Sequence, residues 1–426
     1  MDILKASKYN FLTEVDGQHV AFNSKNCALA KVNDIFLDIL KNPNSEIFAR
    51  VELRKQMLAS GFLVDASVDE TKLLELDYYS SIYNKEQLMI TILPTLDCNF
   101  DCFYCFENKK KEYLSEEIEG AIKQFVSKKI KGVKKFTVCW FGGEPLMGAS
   151  HIWRLSEFFV QISERNNCEY NAMMITNGSL VNDTIIEQIK KSKIEILQIT
   201  IDGTEEYHNS RRYFKGGAPS FSIIMKNIKK LTSSGIRVSV RMNIDKNNIH
   251  SVKELLHVIG KQRWDNFQVS FGQILPLGVA DKWNTDSCFT TEEFSLAITE
   301  LSEVMKTIGI KIGDDYPFYP KPILNFCSAC HINSFVIHPN GDVHKCYDCN
   351  DYKIGNIKGE LCSSAIEKNN CAHWITESPF KDQECLECKV LPICMGACPY
   401  LKEKFGKKYC LKWKHDLFDT ICKKIR

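Results

Sequence analysis

Between residues 86 and 315 the chain alternates short apolar runs with longer amphipathic stretches. LMITILP, FTVCWF, NAMMIT, ILQITI, IRVSVRMNI and FQVSFGQIL read as strands. They are short and rich in branched and aromatic residues, as strands are. Helical spacing fills 115–130, 151–164, 181–193, 219–234 and 249–262. Repeated strand–helix units predict a parallel sheet with crossover helices. Six units are too few to close an eightfold barrel, so an open, partial (β/α)6 TIM-like barrel is expected. Its functional loops belong at the C-terminal ends of the strands.

The flanks follow other patterns. In residues 1–85, YNFLTEV and HVAFN flank Asp16-Gly17, a hairpin signal. VNDIFLDILKN and VELRKQMLAS have helical spacing, the second stopped by Gly61 before a strand, and a helical linker starts after residue 71. This part is expected to be a small α+β module, either a generic packing domain or a winged-helix-like peptide-binding one. In residues 316–426 periodicity fades, turns such as HPNGD appear and cysteine density rises. A segment that poor in apolar periodicity is expected to use metal in place of a core.

Composition narrows the class. With 44% hydrophobic residues over 426 positions, two or three folded domains are affordable. A net charge of +2 argues against binding to a phosphate backbone by charge alone, and no basic patch with interleaved aromatics is seen, so no nucleic-acid partner is expected. The run Asn108-Lys109-Lys110-Lys111 reads as a solvated loop. No apolar run has signal-peptide or membrane-span length, so a soluble, cytoplasmic protein with no membrane partner is expected. Of 19 cysteines, twelve crowd into 327–422. An odd number without an export signal speaks against a disulfide framework and for metal.

The most informative segment is CNFDCFYC, which places Cys98, Cys102 and Cys105 on one short loop after the first barrel strand. Three thiolates can hold three irons of a [4Fe–4S] cube and leave the fourth open to a ligand. A zinc knuckle needs a fourth protein ligand, and no histidine is near. After the second strand comes WFGGEPLMG, where Gly142 and Gly143 permit close backbone approach beside Glu144. The third strand ends in Thr176-Asn177-Gly178, and the fourth in Thr200-Ile201-Asp202-Gly203, followed by HNSRR with His208, Arg211 and Arg212.

These segments resemble the radical SAM superfamily, whose signature is Cys-x3-Cys-x2-Cys with an aromatic residue, here Tyr104, before the last cysteine. The resemblance implies S-adenosyl-L-methionine as cofactor, held on the open iron. It implies that Gly142, Gly143 and Glu144 meet the amino group of its methionine and that Thr200 lines the same site. One electron then splits the sulfonium bond, and a 5′-deoxyadenosyl radical takes hydrogen from an unactivated carbon. Asp202 is open between a cofactor contact and a turn cap, and the two arginines between cofactor contacts and surface charges.

A second constellation runs Cys330, Gly341, Cys346, then Cys385-x2-Cys388-x5-Cys394-x3-Cys398, then Cys410. It resembles the SPASM extension of radical SAM peptide-modifying enzymes, which holds two auxiliary [4Fe–4S] clusters, three in all. The resemblance implies Cys330, Cys346, Cys398 and Cys327 for the first and Cys385, Cys388, Cys394 and Cys410 for the second. The close Cys327-x2-Cys330 pair leaves the fourth ligand of the first cluster open, with Cys349 a rival. A zinc ribbon of Cys385 to Cys398 leaves Cys346 and Cys410 unexplained.

The N-terminal module resembles the RiPP recognition element, which adds a leader peptide to its sheet edge. Taken together, the resemblance implies domains at 1–85, 86–315 and 316–426. It implies a maturase that installs thioether cross-links in a ribosomally made precursor peptide with a leader, fed by an electron donor such as flavodoxin or ferredoxin. Asp348 is the candidate base. Alternatives are carbon–carbon cross-linking or epimerisation, formylglycine maturation of the anaerobic sulfatase type, and a non-enzymatic iron–sulfur scaffold. Formylglycine maturation is disfavoured because Tyr347, not an aspartate, follows Cys346.

Overall fold

In this computed structural model, residues 3–48, 52–276, 285–313 and 317–425 are described. The N-terminal module starts with β1 (Leu4–Ala6), β2 (Asn10–Val15), β3 (Gln18–Asn23) and β4 (Ala28–Lys31). Strands β2, β3 and β4 form an antiparallel sheet in that order. The expected hairpin is there: Val15 pairs with Gln18 across Asp16 and Gly17, both at positive φ (50° and 76°), which suits a tight two-residue turn. Helices α1 (Asp34–Lys41) and α2 (Glu52–Ala59) lead to β5 (Leu63–Asp65), which pairs with β1. The expected linker is α3 (Glu70–Ile82), capped by the Asp69 side chain on the Thr71 and Lys72 amides.

The barrel follows the apolar runs. Strands β6 (Gln87–Ile92), β7 (Lys135–Trp140), β8 (Glu169–Thr176), β9 (Ile194–Thr200), β10 (Arg237–Ile244) and β11 (Phe267–Gln273) are parallel and adjacent in sequence order. Helices α4 (Glu116–Lys129), α5 (Ala149–Arg165), α6 (Asp183–Lys191), α7 (Glu205–Arg211), α8 (Phe221–Ser233), α9 (Ile249–Gly260) and α10 (Thr291–Ile308) accompany them. Leu88, Ile90, Ile92, Phe136, Val138 and Trp140 are buried in one large core with helix residues such as Ile122, Leu155 and Phe159. Their neighbours Thr91, Thr137, Cys139, Met173, Gln198 and Arg241 alternate with them and are only half-buried, on the opposite, concave face.

The sheet is wider than six strands. Strand β12 (Ser334–Ile337) pairs in parallel with β6, and β13 (Asp342–His344) and β14 (Gly355–Asn356) extend it antiparallel. The order is β11-β10-β9-β8-β7-β6-β12-β13-β14, so the sheet is α/β, largely parallel and open. Residues 334–356 are thus part of the barrel sheet although they lie beyond 315. The loss of periodicity after 316 also hides helices. They are α11 (Ala365–Ile375), α12 (Gln383–Glu387), α13 (Pro399–Phe405) and α14 (Trp413–Ile425). The cysteine-rich segment packs against the N-terminal module: Val15, Val20 and Phe22 meet Val390, Ile393, Trp413, Leu417 and Ile421. Among the described residues no helix is long and apolar enough to cross a membrane.

Candidate active site at the strand ends

Parallel strands place their C-terminal ends on one rim, and the expected site residues meet there. The loop after β6 is held by polar contacts before any metal is considered. The buried Asp97 carboxylate accepts from the Cys98 amide (2.9 Å), Lys215 Nζ (2.8 Å) and Tyr113 Oη (3.0 Å). A β-like bridge ties Phe100 to Phe214, with Asp101 N–H on the Tyr213 carbonyl and Lys215 N–H on the Asn99 carbonyl.

Gly142 and Gly143 lie against this loop. A Cβ on Gly143 would stand 2.1 Å from the Asp97 carbonyl, and one on Gly142 2.4 Å from that of Thr95. The Gly143 amide donates to Thr95 O (3.1 Å) and the Glu144 amide to Asp97 O (2.8 Å). Glu144 is fully buried and its carboxylate is occupied by protein donors: Leu146 N–H (3.0 Å), Thr176 Oγ1 (2.7 Å) and Asn177 N–H (2.8 Å). Burial raises its pKa against those donors. The glycines and Glu144 therefore weld the first three strand ends together, a role beside the expected contact with the methionine amino group.

Tyr104 reaches across the rim to the fourth strand end. Its hydroxyl donates to Asp202 and accepts from Arg212 Nη1 at 2.7 Å. Asp202 is fully buried and also accepts from the Asn243 amide (2.9 Å). Arg211 pairs with Asp245 at 3.0 Å and lies over the Phe103 and Tyr104 rings. Both arginines and His208 are buried, so the surface-charge alternative falls. Thr200 is buried at the end of β9, beside Arg241 in register.

The three loop thiols share one electrostatic neighbourhood. Cys98 and Cys105 both feel Cys102, and burial raises their pKa values, that of Cys98 to about 12. Lys109 feels all three; burial opposes its charge, but the thiols outweigh this and raise its pKa. Its ammonium donates to the Phe100 carbonyl at 2.9 Å. The expectation of a solvated loop holds for the exposed Asn108, Lys110 and Lys111 but not for Lys109, which is half-buried beside the three cysteines. The signal lay in the spacing of Lys109, four residues after Cys105.

The C-terminal cysteines fall into two groups. Cys330, Cys346 and Cys398 each feel Cys327, and the Cys327 thiol, lowered by a hydrogen bond from Cys330, is tied to it directly. Cys385, Cys394 and Cys410 each feel Cys388. Cys349 is buried against Cys346, Trp374 and Tyr400, yet its charge neighbours are Asp351 and Glu403. Among the described residues no three His, Cys, Asp or Glu side chains converge as ligands of a single ion would. The donor sets are soft thiols only, which fits iron–sulfur ligation.

Asp348 stands between the two regions. Its charge is felt by Cys327, Cys346 and Cys398 on one side and by Glu107 of the first loop on the other. Burial pushes its carboxyl up to about 6, against the pull of Arg241. Glu107 is raised by burial and by Asp348 to about 7, and its Oε1 is buried without a hydrogen-bond partner. Tyr347 packs on Phe141, which stacks on Phe106. Gly272 keeps β11 clear of Arg241, whose Nη2 a Cβ there would meet at 2.5 Å. Glu107 and Arg241 were not legible as site residues, since a single charged residue in a loop or strand carries no local pattern.

Residues 92–259 match the radical SAM superfamily model. The cysteine-type anaerobic sulfatase-maturating enzyme of Clostridium novyi (strain NT) is 24% identical over 340 residues, covering 75% of this chain and 89% of that protein. The radical SAM cyclopropyl synthase TigE of Paramaledivibacter caminithermalis is 22% identical, covering 92% of this chain and 86% of that one. Among solved structures, native anSMEcpe with bound AdoMet and Cp18Cys peptide superposes with a TM-score of 0.61 at 15% identity, over 79% of this chain and 98% of that one. Streptococcus suis SuiB bound to precursor peptide SuiA gives 0.56 at 14%, over 96% and 98%. The two structures share this fold.

Proposed function

We propose that this chain is a radical SAM maturase that installs thioether cross-links in a ribosomally made precursor peptide. The observation that carries the reading is the run of ring contacts Phe106–Phe141–Tyr347, which joins the first cysteine loop to the segment of Cys346, with Glu107 and Asp348 beside it and within reach of each other's charge. A peptide laid in that space would have a hydrogen-abstracting centre on one side and an electron-accepting cluster on the other. Cys98, Cys102 and Cys105 would hold the cube that carries S-adenosyl-L-methionine. Cys327, Cys330, Cys346 and Cys398 would hold the first auxiliary cluster, and Cys385, Cys388, Cys394 and Cys410 the second. When bound, these groups supply a carbon radical on the peptide and an electron sink.

The chain's own residues supply the rest. Tyr104, Asp202 and Arg212 fix the rim that faces the cofactor. Phe106, Phe141 and the exposed Tyr347 give the space aromatic walls that a bound peptide would cover. Asp348, raised toward neutrality, can take the proton of the attacking thiol, and Glu107 beside it can share that proton. Coverage of nearly the whole chain by a precursor-bound relative structure, against about four-fifths by the sulfatase maturase, supports a leader-binding role for the N-terminal module.

A second reading, oxidation of a peptide cysteine or serine to formylglycine, gains from one observation. Asp348 lies next to the Cys346 thiol although Tyr347 intervenes in sequence, so the one-residue offset does not remove a carboxylate from the site. The test is anaerobic incubation of iron-loaded protein with S-adenosyl-L-methionine, a reductant and the peptide encoded beside its gene. Thioether formation gives 5′-deoxyadenosine and a peptide lighter by two hydrogens per bond, with cysteines no longer alkylated. A hydrazide-reactive aldehyde selects the second reading, and absence of 5′-deoxyadenosine overturns both.

A further inference from the structure

An open groove of about 820 Å³ lies on the N-terminal module between α1 and the hairpin. Leu12, Leu37 and Leu40 line it, together with the cations Lys8, Lys41 and Lys389 and the ring of His19; no acidic residue lines it. Strand β2 pairs only with β3 among the described residues, so its other edge can accept a strand beyond Asn10, whose amide and carbonyl are engaged by Ser7 and Lys389. Ten of the eleven lining residues come from positions 6–41. The eleventh, Lys389, is the residue directly after Cys388.

Lys389 is fastened into the groove. Its Nζ donates to the Asn10 carbonyl on β2 at 2.9 Å, and its own carbonyl accepts from Ser24 Oγ. Lys8 in turn donates to the Leu386 carbonyl at 3.1 Å. Beneath these contacts Cys388 packs with Val15, Val20 and Phe22, and Cys385 and Leu386 pack with Tyr9. Lys389, the residue after Cys388, is thus one wall of a groove otherwise built from the N-terminal module, 379 positions from its partner Asn10.

We propose that the groove takes an acidic, extended peptide segment, and takes it well only when the Cys385/Cys388/Cys394/Cys410 site is loaded. The inference rests on the reading of those cysteines as a metal site. Lys8, Lys41 and Lys389 line the groove, and although Asp38 stands 4.0 Å from Lys41 and Asp34 4.0 Å from His19, the lining is net basic and favours an acidic partner by charge complementarity. A free strand edge above leucines favours an extended one with apolar side chains alternating inward. Without metal, residues 385–389 lose the ligands that fix them, the Lys389 wall loosens, and binding must meet the entropy of ordering it. The enzyme then selects substrate only after its metal assembly is complete.

The test reads binding. A fluorescein-labelled peptide of alternating leucine and glutamate, long enough to span the six residues of β2, and its leucine–lysine counterpart are titrated into the anaerobically loaded full chain. The glutamate peptide is expected to bind and the lysine one to bind weakly. Lys41→Glu, on exposed α1 and away from the cysteines, is expected to weaken the first by about tenfold. Cys394→Ser, which empties the second site from outside the groove, is expected to weaken it as much. In the loaded wild type, binding is expected to slow amide exchange both in 10–15 and in 386–390. Equal affinity for the two peptides, undiminished affinity in Cys394→Ser, or protection confined to 10–15 overturns the proposal. Release of 5′-deoxyadenosine without peptide, followed in the same samples, separates this outcome from failure of the functional reading itself.

Discussion

Cys98 and Cys102 pack against the large barrel core on a loop that polar contacts also hold, whereas six of the eight C-terminal ligand candidates, Cys327, Cys330, Cys346, Cys385, Cys388 and Cys398, sit in small hydrophobic clusters outside that core. The first loop hangs on Asp97, on the Phe100–Phe214 bridge and on the amides of Gly143 and Glu144. Its shape is dictated by the protein before any iron arrives. Cys330 instead packs with Tyr9, Tyr78, Phe380 and Met395, and Cys346 with Cys349, Trp374 and Tyr400. The helix that carries Cys385, α12, has only 5 residues, and Cys394 and Cys398 lie outside any α-helix of more than one turn. One site thus rests on the large barrel core, and the other two on small clusters whose volume the cysteines themselves help to fill, so metal is expected to matter more for the fold of the second region.

The sharpest way to break this contrast is to remove ligands on each side. Cys102→Ala is expected to abolish 5′-deoxyadenosine release while leaving the thermal transition of the barrel in place. Cys394→Ala, or anaerobic iron chelation, is expected to open the C-terminal segment to protease and to leave β6–β11 protected, as measured by amide exchange. If Cys102→Ala unfolds the barrel as well, the two regions do not differ in kind.

Next in size is the proton acceptor. Asp348→Asn keeps shape and hydrogen-bonding capacity but cannot take a proton. Cross-linked product is expected to fall by about 10²–10⁴-fold with 5′-deoxyadenosine still released. Equal loss of both products places Asp348 in cofactor binding instead.

Gly143→Ala tests how tightly the first loop is pre-shaped. The new methyl meets the Asp97 carbonyl, part of a backbone that cannot step aside cheaply. A loss of about 1–3 kcal/mol is expected from such overpacking, read by denaturant unfolding of the metal-free chain. It should bring a loss of the iron–sulfur absorption that the loop supports. Lys109→Gln is milder. Without its ammonium the thiolates are less compensated, the cluster becomes harder to reduce, and radical generation slows several-fold, as an EPR-monitored redox titration can follow.

Much of this contrast was written in the sequence, but unevenly. The barrel was legible because LMITILP, FTVCWF and the runs after them are long, apolar and regularly spaced, and each motif sat at a strand end. The hairpin was legible in Asp16-Gly17. Strand β12 was not, since the four residues SFVI are too short to be told from any buried segment, and only pairing with β6 defines them. Helices α11 and α14 hid among cysteines, where metal-site and core residues mix and blur the helical period. Arg211, Arg212 and Asp202 could be seen as motif residues. Their burial around Tyr104 depends on contacts across about a hundred positions, such as the 108 separating Arg212 from Tyr104, which no local pattern carries.

The smallest expected effect concerns the outside of the barrel, where a carboxylate rather than a thiolate does the joining. Glu119 on α4 accepts from Arg154 Nη2 (2.7 Å) and Nε on α5, from Lys123 Nζ (2.8 Å), and faces His151 at 3.0 Å. Burial pushes its carboxyl up, but Arg154, Lys123 and His151 outweigh that and hold it at about 2, below the ordinary 4.5. A carboxyl whose pKa is lower in the folded state stabilises the fold at pH values above its unfolded pKa. That contribution is lost as pH falls from about 4.5 toward 2. Glu119→Gln should therefore lower stability at neutral pH and leave a shallower acid limb, with the two proteins converging near the low end of that window. Because Arg154 is largely exposed and solvent screens the pair, the change should be modest. It should also be the same with and without iron, because nothing in α4 or α5 waits on a metal for its shape. An iron-dependent change in the acid limb of Glu119→Gln would extend the metal's structural reach into the barrel and narrow the contrast between the two regions.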